Sequence, residues 1–301
     1  MKEENASAGC VLRLFGVPAE RVRQAADALP AKWQVTARCR SRGAETLVAL
    51  QGRSVQGLHK SRQNLRSCFA ADLYGEGETG LAAAAVQALE AHHKLLVCSD
   101  AAAGSLLEAR LETVPTAEKV FDFGTMSYAD AAAAARIAKQ TRKAPQDAAA
   151  QALARVQAAR RVVGAELAAA CLEQPGSCVL LLGCKKGCWV RCVPQEENPA
   201  LWLLDMIRRA ACGLPQAGGT SWQRYRAPVP AALLQPADPA AMPAPPRRRH
   251  GLRRVVLLLV VLALAVLAAG WYYTGGDLAA LPQKLQSLGA ESLPHSGAKL
   301  L

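Results

Sequence analysis

Apolar and polar positions follow two rhythms along the first two-thirds of this chain. Before residue 75 the spacing switches between helical and extended. Pro18 suits the first turn of a helix whose pattern runs to Leu29. Residues 33–38 and 46–50 predict strands, and residues 58–69 return to helical spacing. Beyond residue 79 a helix–strand theme repeats. Leu81, Val86 and Leu89 mark a helix, residues 95–98 a short buried strand, and residues 106–111 another helix. A strand is expected over 120–128, then helices over 129–139 and 146–163, the second ended by Gly164. Strands over 167–172, 179–182 and 188–193 follow, with Lys185, Lys186 and Gly187 turning the last hairpin. Asn198 is the expected cap of a final helix that has Pro199 at its first position and Gly213 and Pro215 at its close. Buried strands alternating with helices predict an α/β fold: a small α/β domain over 1–75, then a three-layer α/β/α domain over 76–213.

The C-terminal third reads differently. Residues 214–246 hold eight prolines, and with the arginines after them (214–254) predict a semi-rigid spacer and a basic juxtamembrane segment. Residues 255–273, VVLLLVVLALAVLAAGWYY, carry no charge and no proline. At a rise of about 1.5 Å per residue, this run nearly crosses a hydrocarbon core of roughly 30 Å. Trp271, Tyr272 and Tyr273 sit where an interfacial aromatic belt belongs. Arg247, Arg248, Arg249, Arg253 and Arg254 precede the run, and the nearest basic residue after it is Lys284. The positive-inside rule therefore predicts a single-pass cell-membrane protein, with its N-terminal domains cytoplasmic and a short extracytoplasmic tail over 274–301. Ala265 and Ala269 form a small-xxx-small pair that suits self-association.

Charge and cysteine usage narrow the chemistry. The net charge is +12, of which +7 falls before Arg247. That balance is mildly basic and lacks an aromatic-basic repeat, so no nucleic-acid partner is indicated. Ten cysteines all precede the apolar run, and a cytoplasmic setting predicts reduced thiols. Cys184, Cys188 and Cys192 do not match a common zinc spacing; Cys188 and Cys192 share a strand face and predict core packing. No metal and no cofactor is expected. Met1-Lys2-Glu3-Glu4-Asn5 is polar, and no secretory leader is expected there.

Several segments resemble the CinA family, the competence/damage-inducible proteins. Leu12-Arg13-Leu14-Phe15-Gly16 followed by Pro18-Ala19-Glu20 resembles the start of that family's small middle domain. Leu73-Tyr74-Gly75-Glu76-Gly77-Glu78-Thr79, then Leu81, resembles the junction before its C-terminal amidase domain. Leu106-Leu107-Glu108-Ala109-Arg110-Leu111 with Val114-Pro115 resembles the helix after its catalytic turn, and Gly124 and Tyr128 resemble the next strand. The resemblance covers roughly residues 10–213. It implies a domain that hydrolyses the amide of nicotinamide mononucleotide, with a pyridine nucleotide as ligand and a tendency to form homo-oligomers.

The family's chemistry rests on two motifs. A turn reading Ala-Glu-Ser-Cys-Thr-Gly-Gly supplies the serine nucleophile. A second motif, Tyr-Ser-Asn-Glu-Ala-Lys, supplies a tyrosine and a lysine that assist. Amide hydrolysis by this route needs an activated hydroxyl and a nearby group to take its proton. Here the first turn reads Ser99-Asp100-Ala101-Ala102-Ala103-Gly104-Ser105, which puts Ala101 at the serine position. The second reads Tyr128-Ala129-Asp130-Ala131-Ala132-Ala133, which puts Ala133 at the lysine position and keeps Tyr128. In a comparable serine hydrolase, losing such groups costs roughly 10⁶ in turnover. A third feature, a glycine-rich loop, is reduced to Cys171-Leu172-Glu173-Gln174-Pro175-Gly176. The expectation is a membrane-anchored pseudoenzyme that binds a ligand or partner through Asp100, Gly104, Ser105, Tyr128 and Asp130. The alternative is an active amidase with Ser105 as a relocated nucleophile. Asp100 and Asp130 also fit the role of helix caps.

Overall fold

The computed structural model describes residues 8–121, 129–225 and 227–236. They form a mixed α/β structure with two sheets and, among the described residues, seven α-helices. Both sheets belong to one compact unit. The apolar run 255–273 and the tail 274–301 lie outside the described residues. Among the described residues no helix is long and apolar enough to cross a membrane.

The first sheet contains β1 (Ala8–Phe15), β2 (Val35–Arg42), β3 (Glu45–Gly52) and β4 (Leu73–Glu76), in the order β2-β3-β1-β4, all antiparallel. Helices α1 (Ala19–Asp27) and α2 (Val55–Cys68) cover one face. Alternation decides which face that is: Leu12 and Leu14 on β1, with Val48 and Leu50 on β3, meet Val22, Leu65 and Phe69 in one apolar cluster. The chain order strand-helix-strand-strand-helix-strand is a split β-α-β arrangement. Ser54 caps α2 by accepting from the Gly57 N–H at 3.3 Å. The strand expected from residue 33 begins at Val35, because Ala31–Trp33 forms a 3₁₀ turn ending on Gln34 in the left-handed region.

The second sheet contains β5 (Leu96–Cys98), β6 (Leu167–Gln174), β7 (Ser177–Gly183), β8 (Cys188–Pro194) and β9 (Ser221–Gln223), in that spatial order. β5 and β6 are parallel and the remaining pairs antiparallel. Phe121 bridges to Leu96 on the outer side of β5; residues 122–128 of the expected strand lie outside the described residues. Helices lie on both faces. Cys178, Leu180 and Leu182 point to α3 (Leu81–Ala91), α4 (Ala101–Leu111) and α7 (Pro199–Ala211). Val179 and Leu181 point to α5 (Ala131–Thr141) and α6 (Ala148–Val163). Cys188 and Cys192 are both buried on this second face.

Two sequence expectations need correction. The spacer expected from residue 214 is part of the folded unit as far as Leu234. β9 extends the sheet, and Tyr225, Val229, Leu233 and Leu234 pack on the second apolar cluster. Apolar anchors between the prolines hold this strap down. Asn198 does precede α7, but its side chain does not cap the helix. Its backbone is left-handed, with φ 56°, and its Oδ1 instead accepts from Arg110 at 3.2 Å.

The two sheets are joined through α7. Phe15 from β1 meets Trp202 edge-to-face at 4.9 Å. Asp205, Arg208 and Arg209 are all buried and bonded to one another: Arg208 Nη2 donates to Asp205 Oδ1 at 2.7 Å, and Arg209 Nε to Asp205 Oδ2 at 2.6 Å. Arg209 continues to Asp72 and to the Phe15 carbonyl, while Arg208 reaches the Ala71 carbonyl at 2.8 Å. A charged cluster this dry persists only because nearly every donor and acceptor is matched.

Candidate functional site

The turn after β5 carries the first set of residues singled out in the sequence. The strand ends at Cys98, and Ser99 ties it to β6: its N–H and its hydroxyl both donate to the Ala169 carbonyl, at 2.8 and 3.0 Å. Asp100 then leaves the strand with extended backbone and caps α4, accepting from the Ala103 N–H at 2.8 Å. Both of its carboxylate oxygens also lie 3.3 Å from the Cys171 N–H on β6. Burial raises the Asp100 carboxyl above its ordinary value, opposed by these hydrogen bonds and by the field of Arg155. Asp100 thus fastens a helix start to a strand.

The other residues of this turn sit on α4. Ala101 is exposed at the first helical position. Gly104 is buried within the helix, its N–H donating to the Asp100 carbonyl at 3.2 Å. Ser105 is exposed, and its hydroxyl donates to the Ala101 carbonyl one turn back at 2.9 Å. It borders a cleft of about 370 Å³ shared with Arg110, Glu196 and Asn198. Among the described residues no basic side chain hydrogen-bonds the Ser105 hydroxyl. An attacking serine needs such a partner to take its proton.

The second set lies on α5. Asp130 is exposed and caps that helix, accepting from the Ala132 N–H at 2.8 Å. Ala133 is buried with Ile137 on the face that α5 turns toward α6. Tyr128 lies outside the described residues. Asp100, Ala101, Gly104 and Ser105 therefore share one helix start, and Asp130 and Ala133 share another. The glycine-rich loop position is a tight turn between β6 and β7: Gln174 pairs Ser177 across Pro175 and Gly176, with Gly176 at φ 74°. A two-residue turn offers few backbone amides to a ligand.

Other chemistry was less visible in the sequence. Cys171 and Cys178 lie on the same face of adjacent strands, and the interaction of the two thiols raises the first and lowers the second. Arg191 on β8 lies buried 3.4 Å from the Trp202 ring centroid and bonds the Gly218 carbonyl; burial pulls its guanidinium down to about 10. All ten cysteines are free thiols. Among the described residues no group of three or more His, Cys, Asp or Glu side chains could hold a metal ion. Basic side chains at element ends also meet: Lys94, Arg160, Arg161, Lys185 and Lys186 border one cleft, whereas the sequence pattern marks Lys185 and Lys186 only as a hairpin turn. Clustered charge at several predicted element ends was the available signal. No protein-family model matches the chain, and no curated protein matches it.

Proposed function

We propose that this chain is a membrane-anchored, catalytically silent relative of the CinA-type nicotinamide-nucleotide amidohydrolases, serving as a ligand- or partner-binding module. The observation that carries the reading is Ala101. It stands exposed at the first position of the helix that follows a buried strand, the strand–turn–helix setting in which the resembled family carries its nucleophile. A methyl group there neither attacks a carbonyl nor stabilises an acyl intermediate. Ala133, at the lysine position, likewise offers no base. The relocated-nucleophile reading gains no support from Ser105, whose hydroxyl is bonded to its own helix.

The anchor rests on the uncharged run 255–273 and the five arginines ahead of it. The experiment has two arms, both on the full chain. In membranes, the protein resists alkaline carbonate extraction, and deletion of 255–273 releases it to the supernatant; a deletion variant that stays in the pellet overturns the anchor. In detergent, nicotinamide mononucleotide raises the thermal midpoint. At 100 times its Kd a ligand adds about 2.7 kcal/mol, so absence of any shift at saturating nucleotide removes the pyridine nucleotide as ligand.

A further inference from the structure

The end of the second sheet opposite Asp100 carries a concave, strongly basic surface that none of the chemistry above uses. Lys94 stands just before β5. Arg160 and Arg161 close α6, and Lys185 and Lys186 form the tip of the β7–β8 hairpin, with the indole of Trp189 beside them. These side chains border a cleft of about 550 Å³, within the range of small-molecule sites. One carboxylate, Glu166, shares the lining, and one of its oxygens is occupied by the Leu95 N–H at 2.8 Å.

Helix C-termini draw cations, and that explains part of the cluster. Lys94 Nζ bonds the Ala210 and Ala211 carbonyls at 3.0 and 2.7 Å, closing α7. Arg160 Nη1 reaches the Ala165 carbonyl at 3.4 Å. Arg161 shares the last turn of α6, but dipole complementarity does not explain Lys185 and Lys186 on the hairpin. Arg160 Nε is buried without a hydrogen-bond partner. Among the described residues, Arg161, Lys185 and Lys186 form no ion pair or side-chain hydrogen bond, although all three are gathered at one cleft. Like charges gathered at one exposed cleft repel mildly in water, and a bound anion turns that repulsion into attraction. Several convergent donors and a surplus of positive charge fit a phosphate-bearing group better than a single carboxylate.

We propose that this cleft binds a phosphate-bearing anion, held by Arg160, Arg161, Lys185 and Lys186. The inference is independent of the amidase resemblance. The hairpin is fixed beneath the lysines: Tyr225 donates to the Cys184 carbonyl at 2.6 Å, and a Cβ at Gly187 would lie 2.4 Å from the Gln223 carbonyl oxygen. The lysines are thereby presented from a rigid turn.

The test uses the full chain in a neutral detergent, with inorganic pyrophosphate as probe, in titration calorimetry at low salt. Pyrophosphate binds, and chloride at equal ionic strength gives no heat. Charge reversal at three exposed positions (Arg161→Glu, Lys185→Glu and Lys186→Glu together) weakens binding by at least about tenfold, the equivalent of one lost charge-assisted contact. Reversal of Arg38, Arg40 and Arg42 on β2 removes the same charge elsewhere and changes affinity less than about twofold. A soluble short-chain phosphatidylglycerol, titrated in parallel, separates the sources: tighter binding of the lipid assigns the cleft to a headgroup, tighter binding of pyrophosphate to a free phosphate ligand. No binding of either probe, or equal losses in the two charge-reversed variants, overturns the proposal.

Discussion

Replacing Arg209 with methionine removes the centre of the junction between the two sheets while keeping much of the side-chain volume. Arg209 is 1 % exposed. Its Nη2 donates to the Phe15 carbonyl and to Asp72 Oδ1, each at 3.0 Å, its Nη1 to the Pro215 carbonyl at 3.2 Å, and its Nε to Asp205 Oδ2 at 2.6 Å. Removing one partner of a buried ion pair costs about 3–5 kcal/mol. Arg208 still holds Asp205 through Oδ1, so the lower end, about 3 kcal/mol, is expected. For a folded unit of this size that corresponds to a fall of roughly 6–12 °C in thermal midpoint. Urea unfolding of the full chain, followed by tryptophan fluorescence, measures the change, since Trp202 lies at the same junction. A cycle with Asp72→Asn gives a coupling of at least about 0.5 kcal/mol. A loss below about 1 kcal/mol for Arg209→Met would refute the claim that this cluster joins the sheets.

Other outcomes follow from single contacts. Gly57→Ala destabilises the fold, although alanine is usually favoured over glycine in a helix by about 1 kcal/mol, because a Cβ there would lie 2.2 Å from the Trp33 carbonyl oxygen; a raised thermal midpoint contradicts this. Asp100→Ala loses a helix cap, at about 1 kcal/mol. Asp100→Asn keeps an acceptor and removes the half-buried charge. A carboxyl whose folded value is raised contributes stability that is fully present below its unfolded value near 3.8 and is lost as pH rises through the folded value. The asparagine variant therefore gains on the wild type as pH rises from 3.8 toward neutrality, and urea midpoints showing the reverse slope contradict that sign. Truncation after Gly213 removes β9, the Tyr225 bond to Cys184 and the Gly218 carbonyl that Arg191 bonds; its thermal midpoint falls clearly below that of a chain ending after Gln235, and equal midpoints would show the strap to be dispensable.

The second sheet was largely legible because its long strands are apolar and bounded by strong helix or turn signals. Asp100 and Asp130 could be read as caps from residue type and position, and both cap. The hairpin at Lys185 and Lys186 was equally plain. The first sheet was harder. β1 buries Leu12 and Leu14 on one side and Phe15 against the second sheet's helices on the other, so no clean alternation marks it. β4 has only four residues. The strap over 214–234 was hidden by composition, since prolines dominate it and its few apolar anchors are widely spaced. The buried Asp205, Arg208 and Arg209 look like an exposed helix face in sequence; only packing against β1 shows otherwise. At the candidate site, residue identity spoke more clearly than geometry. Alanines at the two motif positions were evident at once, whereas the bond from Ser105 to the Ala101 carbonyl required coordinates.

Ammonia release from nicotinamide mononucleotide by the purified full chain tests the central claim most directly. With methyl groups at Ala101 and Ala133, no release above a heat-inactivated control is expected, and Ser105→Ala leaves that result unchanged. Release at rates of a working enzyme, on the order of 10 per second, would contradict the account.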